Sequence, residues 1–168
     1  MDKALPENLG VFFPLIESAK GLMNCEKIFD HPRVKLALFG GVDYASDLNC
    51  EMEWEPLLFA RGKLAASAVA HDVLLFDSPH INVRDLDDCE TSTRKAKALG
   101  IHARSAIHPA QIERIHSALR PSDTELDFAK RVLKAFEESQ GNVVLLDGKF
   151  VEEPVVKKAR RTVAFFES

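Results

Sequence analysis

Along most of this chain, short apolar runs rich in branched and aromatic residues alternate with longer segments of helical spacing. Residues 11–16 predict a strand, although Pro14 removes one ladder donor. Residues 17–29 predict a helix that ends near His31-Pro32. A second strand follows at 34–39 and stops at Gly40-Gly41. In residues 53–70, Leu57, Leu58, Ala60, Leu64, Ala65, Ala68 and Val69 recur with a near-helical period, predicting a long helix. Residues 73–76 predict a third strand, residues 87–99 a polar-faced helix closed by Gly100, and residues 103–107 a weaker fourth strand.

Beyond this point the pattern changes. Residues 109–119 predict a short helix with Pro109 in its first turn. Ser122 and Glu125 have capping-box spacing and open a helix to about residue 139. Two short apolar segments flank Asp147-Gly148, the signature of a tight hairpin, and Glu153-Pro154 opens a last helix. Strands alternating with helices imply parallel strands and βαβ units. Four such units are too few for a closed eight-stranded barrel, which usually needs about 250 residues. An open doubly wound sheet is the alternative, but no glycine-rich dinucleotide or phosphate loop follows a strand.

Composition narrows the function. With 46% hydrophobic and 29% charged residues, the chain reads as a globular domain with a real core. The net charge of -4 gives no reason to expect nucleic acid or an anionic membrane as partner. No apolar run approaches the length of a membrane span, and the first residues lack the apolar core of a signal peptide. Cys25, Cys50 and Cys89 are few, odd in number and far apart, which argues against a disulfide framework and fits a reducing cytoplasm.

The chemistry concentrates at the strand ends. In parallel α/β folds, functional groups sit just beyond the carboxyl ends of strands. Here those positions hold Glu17, Asp43, Asp77 with His80, and His108. Glu17 and Asp43 follow adjacent strands, and two oxygen ligands with open remaining positions suit Mg²⁺. Gly40-Gly41 would permit close backbone approach. The structural alternative is that Asp43 caps a short helix while Glu17 sits in a first helical turn. His108 before Pro109 equally reads as a hydrogen-bonded turn residue. Asp77 and Asp85 read as helix caps or cation ligands. Lys157, Lys158, Arg160 and Arg161 read as a solvated helix face.

Five segments carry a resemblance, in order along nearly the whole chain. They are "FFPLIESAKGLMNCEKI", "HPRVKLALFGGVDYASDLN", "LLFARGKLAASAVAHDVLLFDSPHINVRDLDD", "ALGIHARSAIHPAQIERIHSALRPSD" and "LLDGKFVEEPVVKKARR". The sequence resembles the citrate lyase β-subunit-like family of the HpcH/HpaI aldolase superfamily, which includes citryl-CoA, malyl-CoA and citramalyl-CoA lyases. The resemblance implies an α/β fold of (β/α)8 TIM-barrel type, with residues 1–119 as the C-terminal half of the barrel and 120–168 as a C-terminal helical or lid extension. It implies Mg²⁺-dependent cleavage of a C–C bond in a 3-hydroxy-acyl-CoA, giving an acyl-CoA and a keto acid, in a homo-oligomer, usually a trimer or hexamer. By the family's "IES" and "FG-x-x-D" motifs, Glu17 and Asp43 are its metal ligands.

The sequence departs from the family at three places. The family's early-strand Arg and its CoA-binding basic residues precede residue 11 in the family's order, so no residue here matches them. Glu152 stands where "DGKMID-x-P" has an Asp, the acid/base acting on a neighbouring subunit's site, and so carries an arm longer by one methylene. Ala103-Arg104 stand where Gly-Lys is common, and Arg is not equivalent to Lys at a phosphate. Two other functions remain open at this point. One is an incomplete, non-catalytic member serving as an oligomeric binding module. The other is a keto-acid aldolase that does not use CoA.

Overall fold

The computed structural model describes residues 10–167, which divide into two compact units that meet in the sequence between Leu119 and Arg120. In the first, β1 (Leu15–Ile16), β2 (Leu36–Phe39), β3 (Leu74–Asp77) and β4 (Ala103–Arg104) form one sheet in the order β1-β2-β3-β4, with every neighbouring pair parallel. Consecutive strands are therefore spatial neighbours. Right-handed crossovers between such strands all return on the same side of the sheet. This is the winding of a barrel, whereas a doubly wound sheet reverses its strand order and carries helices on both faces. Among the described residues the sheet does not close.

Burial follows this one-sided winding. The register sets Ile16 beside Phe39 and Ala37 beside Leu75, and all four are buried with the helices. The opposite row, Leu15, Leu38 and Phe76, ends at Ala103, and Leu36 lies beside Leu74 in the next row. These residues are half-buried or exposed. Because side chains alternate along a strand, one sheet has a dry face and an open apolar face.

The crossover segments are α1 (Ala19–Met23) and α2 (Cys25–Phe29), α3 (Gly41–Leu48) with α4 (Trp54–Ala70), and α5 (Leu86–Ala98). α6 (Ala110–Leu119) follows β4. The single helix expected over 17–29 is broken at Asn24, whose N–H bonds back to Gly21 and Leu22 carbonyls and whose side chain donates to Lys20 O. The fourth strand is shorter than expected, because beyond Arg104 the backbone turns to meet Gln111, whose Oε1 accepts from Ile107 N. The core gathers Leu22, Cys25 and Phe29 with Leu57, Ala60 and Leu64 of α4 against Ile16, Phe39 and Leu75.

The second unit comprises α7 (Asp123–Glu138), the antiparallel hairpin β5 (Val144–Leu146) and β6 (Lys149–Val151), and α8 (Glu153–Glu167). Ser122 caps α7 by accepting from Glu125 N, and Glu125 reaches back to Ser122 N, so the capping box is formed. Asp147 and Gly148 both have positive φ, the conformation that a tight hairpin turn demands. Val132, Val151 and Val156 are fully buried at its core.

Candidate functional site

The rim at the carboxyl ends of the strands is built around Gly40-Gly41. Gly40 N donates to Ile16 O, which brings the end of β2 beside Glu17. A Cβ added at Gly40 would stand 2.6 Å from Glu17 Cβ and 3.1 Å from its Oε2. Only glycine leaves room for that carboxylate to lie across the backbone. Gly41 N donates to Ser78 Oγ at 3.2 Å, and a Cβ there would lie 2.9 Å from the same oxygen. The start of α3 is thus held between Glu17 and Ser78, and Asp43 lies in its first turn.

Asp47, also on α3, accepts from Ala19 N at 2.7 Å, while Ser18 caps α1 through Gly21 N. The segment after β1 and the helix after β2 are therefore tied together just beyond Glu17 by the bond from Ala19 N to Asp47. Glu17 and Asp43 are themselves exposed, and among the described residues neither carboxylate has a hydrogen-bond or ion-pair partner. No group of three or more His, Cys, Asp or Glu residues gathers as a metal cage among the described residues. Two free carboxylates with nothing softer nearby fit Mg²⁺, which keeps waters and takes further oxygens from substrate, and do not fit a zinc cage.

Behind this rim lies a buried ion pair. Arg61 Nε donates to Asp77 Oδ1 at 2.9 Å, with both side chains almost wholly buried. The Arg61 guanidinium sits 4.6 Å from the Trp54 ring centroid and 5.5 Å from that of Phe39. Asp77 thus pairs with Arg61 and does not cap a helix. Its fixed place also sets Ser78, and hence Gly41. The signal was present in the sequence: Arg61 falls within the apolar stripe of Leu57, Ala60, Leu64 and Ala65, where an arginine needs a carboxylate partner.

Arg104 is turned to the helix side of the sheet. Its Nε donates to Ser78 O, and its Nη1 donates to Cys89 O, Ser92 Oγ and Thr93 Oγ1. Burial lowers its pKa, a pull opposed by the Asp77 charge. It braces β3 against α5. A cleft of about 360 Å³ beside it is lined by Trp54, Arg61, His80, Asp85 and Ser92 among others.

The other candidate residues make the following contacts. Asp85 caps α5 by accepting from Asp88 N. His80 Nδ1 stands 3.6 Å from Asp88 Oδ2, and His80 O accepts from Gln111 Nε2. His108 Nδ1 accepts from Ala110 N, shaping the turn before α6. Glu152 belongs to the second unit, where its carbonyl accepts from Val155 and Val156 N at the start of α8 and its side chain is exposed. Arg160 pairs with Glu153 on an exposed helix face, where Lys157, Lys158 and Arg161 are also exposed.

The family model for HpcH/HpaI aldolase/citrate lyase matches residues 7–109. The (3S)-malyl-CoA thioesterase of Cereibacter sphaeroides strain KD131 is 30% identical, over 92% of this chain and 56% of that protein. The mitochondrial citramalyl-CoA lyase of Mus musculus is 28% identical, over 97% of this chain and 52% of its own length. Among solved structures, Mycobacterium tuberculosis CitE in complex with magnesium, acetoacetate and coenzyme A superimposes with a TM-score of 0.83 at 25% identity, covering 92% of this chain and 60% of that one. The chain thus spans about half the length of the curated relatives it matches. Parallel strands wound in sequence, carboxylates at their ends and the match over residues 7–109 lead to one assignment: this chain belongs to the HpcH/HpaI aldolase/citrate lyase family.

Proposed function

We propose that this chain carries the metal-binding portion of a Mg²⁺-dependent carbon–carbon lyase acting on a 3-hydroxy-acyl-CoA of the citryl-, malyl- or citramalyl-CoA type. The observation that carries the proposal is the pair of unpartnered carboxylates, Glu17 and Asp43, flanking a glycine pair at the ends of neighbouring parallel strands. Family membership supports the class of reaction, since relatives named for malyl-CoA and citramalyl-CoA chemistry match over most of this chain.

In this reading Glu17 and Asp43 hold the ion. Held there, Mg²⁺ would supply positive charge to stabilise the negative charge that builds on the keto-acid half. The substrate hydroxyl loses its proton as the C–C bond breaks. The bonding pair passes to the thioester fragment as an enolate, and a proton delivered to its carbon completes the acyl-CoA. Glu152, acting on a neighbouring subunit's site, is the residue to carry that proton. Its extra methylene relative to Asp matters, because misplacing an acid by about 1 Å costs about 100-fold.

The thioesterase relative supports a second reading, hydrolysis of the C–S bond to a free acid and free CoA. One assay separates them. The chain is incubated with Mg²⁺ and malyl-, citramalyl- or citryl-CoA, and the products are resolved by chromatography. The lyase releases acetyl-CoA with a keto acid from each of these, or glyoxylate in place of a keto acid from malyl-CoA. The thioesterase releases free CoA. Condensation or cleavage of free keto acids without CoA would instead mark an aldolase. No turnover of any of these by the folded, Mg²⁺-binding chain would overturn the enzymatic reading and leave the binding module.

A further inference from the structure

Two hydrogen bonds join the segment that carries Glu17 to the segment that carries Asp43, and together they bracket both carboxylates. Gly40 N donates to Ile16 O at 2.9 Å, just before Glu17 on one side and shortly before Asp43 on the other. Ala19 N donates to Asp47 Oδ2 at 2.7 Å, beyond Glu17 on one side and beyond Asp43 on the other. Residues 16–19 and 40–47 thus form a closed ring with one carboxylate on each side. The first bond is backbone to backbone, so it does not depend on side-chain identity. The second depends on a single side chain. The buried face of α3 is Gly41, Tyr44 and Ala45, and Tyr44 meets Phe39 edge-on with ring centroids 5.5 Å apart. Asp43 and Asp47 are exposed and lie one helical turn apart, so they share a face. Because Asp47 reaches Ala19, this face is the one that meets the Glu17 segment.

We propose that Asp47 is a positioning residue for the metal site, its bond to Ala19 N fixing the separation of the Glu17 and Asp43 carboxylates without touching the ion. This role rests on Glu17 and Asp43 being the Mg²⁺ ligands proposed above. Without the Asp47 bond, the ring is left closed only at Gly40, where two adjacent glycines give the backbone little torsional restraint. Asp47 does not act as a third ligand, because Glu17, Asp43 and Asp47 do not gather into a three-carboxylate cluster among the described residues. Its Oδ2 is instead taken up by Ala19 N, one of the donors that the first turn of α1 leaves without a helical partner. What Asp47 supplies is therefore an acceptor at one point in space. An asparagine amide oxygen supplies the same acceptor without charge. A metal ligand, or a charge that attracts Mg²⁺ through space, would need the carboxylate itself. Asparagine at position 47 thus separates position from charge.

The test is calorimetric titration of Mg²⁺ into the unmodified chain, Asp47→Ala and Asp47→Asn, with urea unfolding of each. Asp47→Ala should weaken Mg²⁺ binding about 10–100-fold, as happens when a group that orients metal ligands is removed. Asp47→Asn should bind within about threefold of the unmodified chain, the remainder reflecting a neutral acceptor in place of a charged one. A role confined to stability would lower the urea midpoint of Asp47→Ala and leave the affinity of the folded variant unchanged, which overturns the proposal. Asp47→Asn as weak as Asp47→Ala also overturns it, because the charge and not the position would then matter. Should Asp47→Ala unfold, hydrogen exchange at the Ala19 amide of the unmodified chain decides. An ion that needs the ring closed also holds it closed, so saturating Mg²⁺ should slow that exchange. Exchange indifferent to Mg²⁺ overturns the proposal. No Mg²⁺ binding by the unmodified chain would remove the metal reading and this role with it, whereas binding that Asp47→Ala leaves intact removes this role alone.

Discussion

The Gly40-Gly41 pair sets how near Glu17 can lie to the helix that carries Asp43. A methyl group at position 40 would collide with Glu17 Cβ at 2.6 Å, and the atom it meets is at the root of the side chain, close to the backbone. Gly40→Ala should therefore cost about 1–3 kcal/mol in urea unfolding and also weaken Mg²⁺ binding, as overpacked sites do when they displace their neighbours. The buried pair behind the rim gives a sharper contrast. Asp77→Ala leaves the Arg61 charge buried without its partner and should destabilise the first unit by about 3–5 kcal/mol. The double change Arg61→Met with Asp77→Leu should recover much of that loss, because two apolar groups need no partners. Equilibrium denaturation of the two variants measures both numbers. The carboxylates at 17 and 43 were legible from sequence because both directly follow strand-like runs. Ser78 was not, because its role depends on a contact 37 residues away along the chain, and Arg61, whose place in an apolar stripe called for a carboxylate, did not by itself say that Asp77, 16 residues on, would be the partner.

At the scale of the element, local chemistry was the readable part. The capping box at Ser122, the Asp147-Gly148 turn and the helix end at Gly100, where φ is +92°, all formed at the positions their residues specify. Each depends on residues within one turn of each other, so no tertiary information is needed. Ser122→Ala should cost the second unit about 1 kcal/mol, measured as a shift in its thermal or urea midpoint. The short helix α3 was open to the sequence only as one capped by Asp43, whereas Gly40 stands at its N-cap and Asp43 lies in its first turn. Its eight residues begin with glycine and carry no capping side chain, and Ser78 and Glu17 from other segments hold its start.

The link between α5 and α6 is electrostatic and titrates. Glu90 accepts from Arg94 at 2.6 Å and from Arg114 at 3.1 Å, and these bonds hold its carboxyl below the usual carboxylate range. A carboxylate depressed on folding stabilises the folded state above its unfolded pKa, and this is lost as pH falls through the folded value. Thermal midpoints should thus hold above the ordinary glutamate range and decline as pH falls below it, and Glu90→Gln should flatten part of that decline. The group is solvent-facing, so added salt should shrink the difference.

For the whole molecule, the strand order explains why this chain can carry a rim without enclosing it. Sequential parallel winding puts every crossover on one face and every strand end on one rim, so Glu17, Asp43 and the braces at Asp77 and Arg104 come from successive strands. The alternation of strands and helices made that winding readable, and the lack of a glycine-rich dinucleotide or phosphate loop after any strand already told against an open doubly wound sheet. Isothermal titration of Mg²⁺ into the chain, with and without pyruvate, compares the unmodified protein with Glu17→Gln and Asp43→Asn. The account predicts one ion per chain, tightened by pyruvate and weakened about 100-fold or more in each variant, as expected when one of two protein ligands is lost. Binding that survives both substitutions unchanged, or a folded chain that takes up no Mg²⁺, would contradict it.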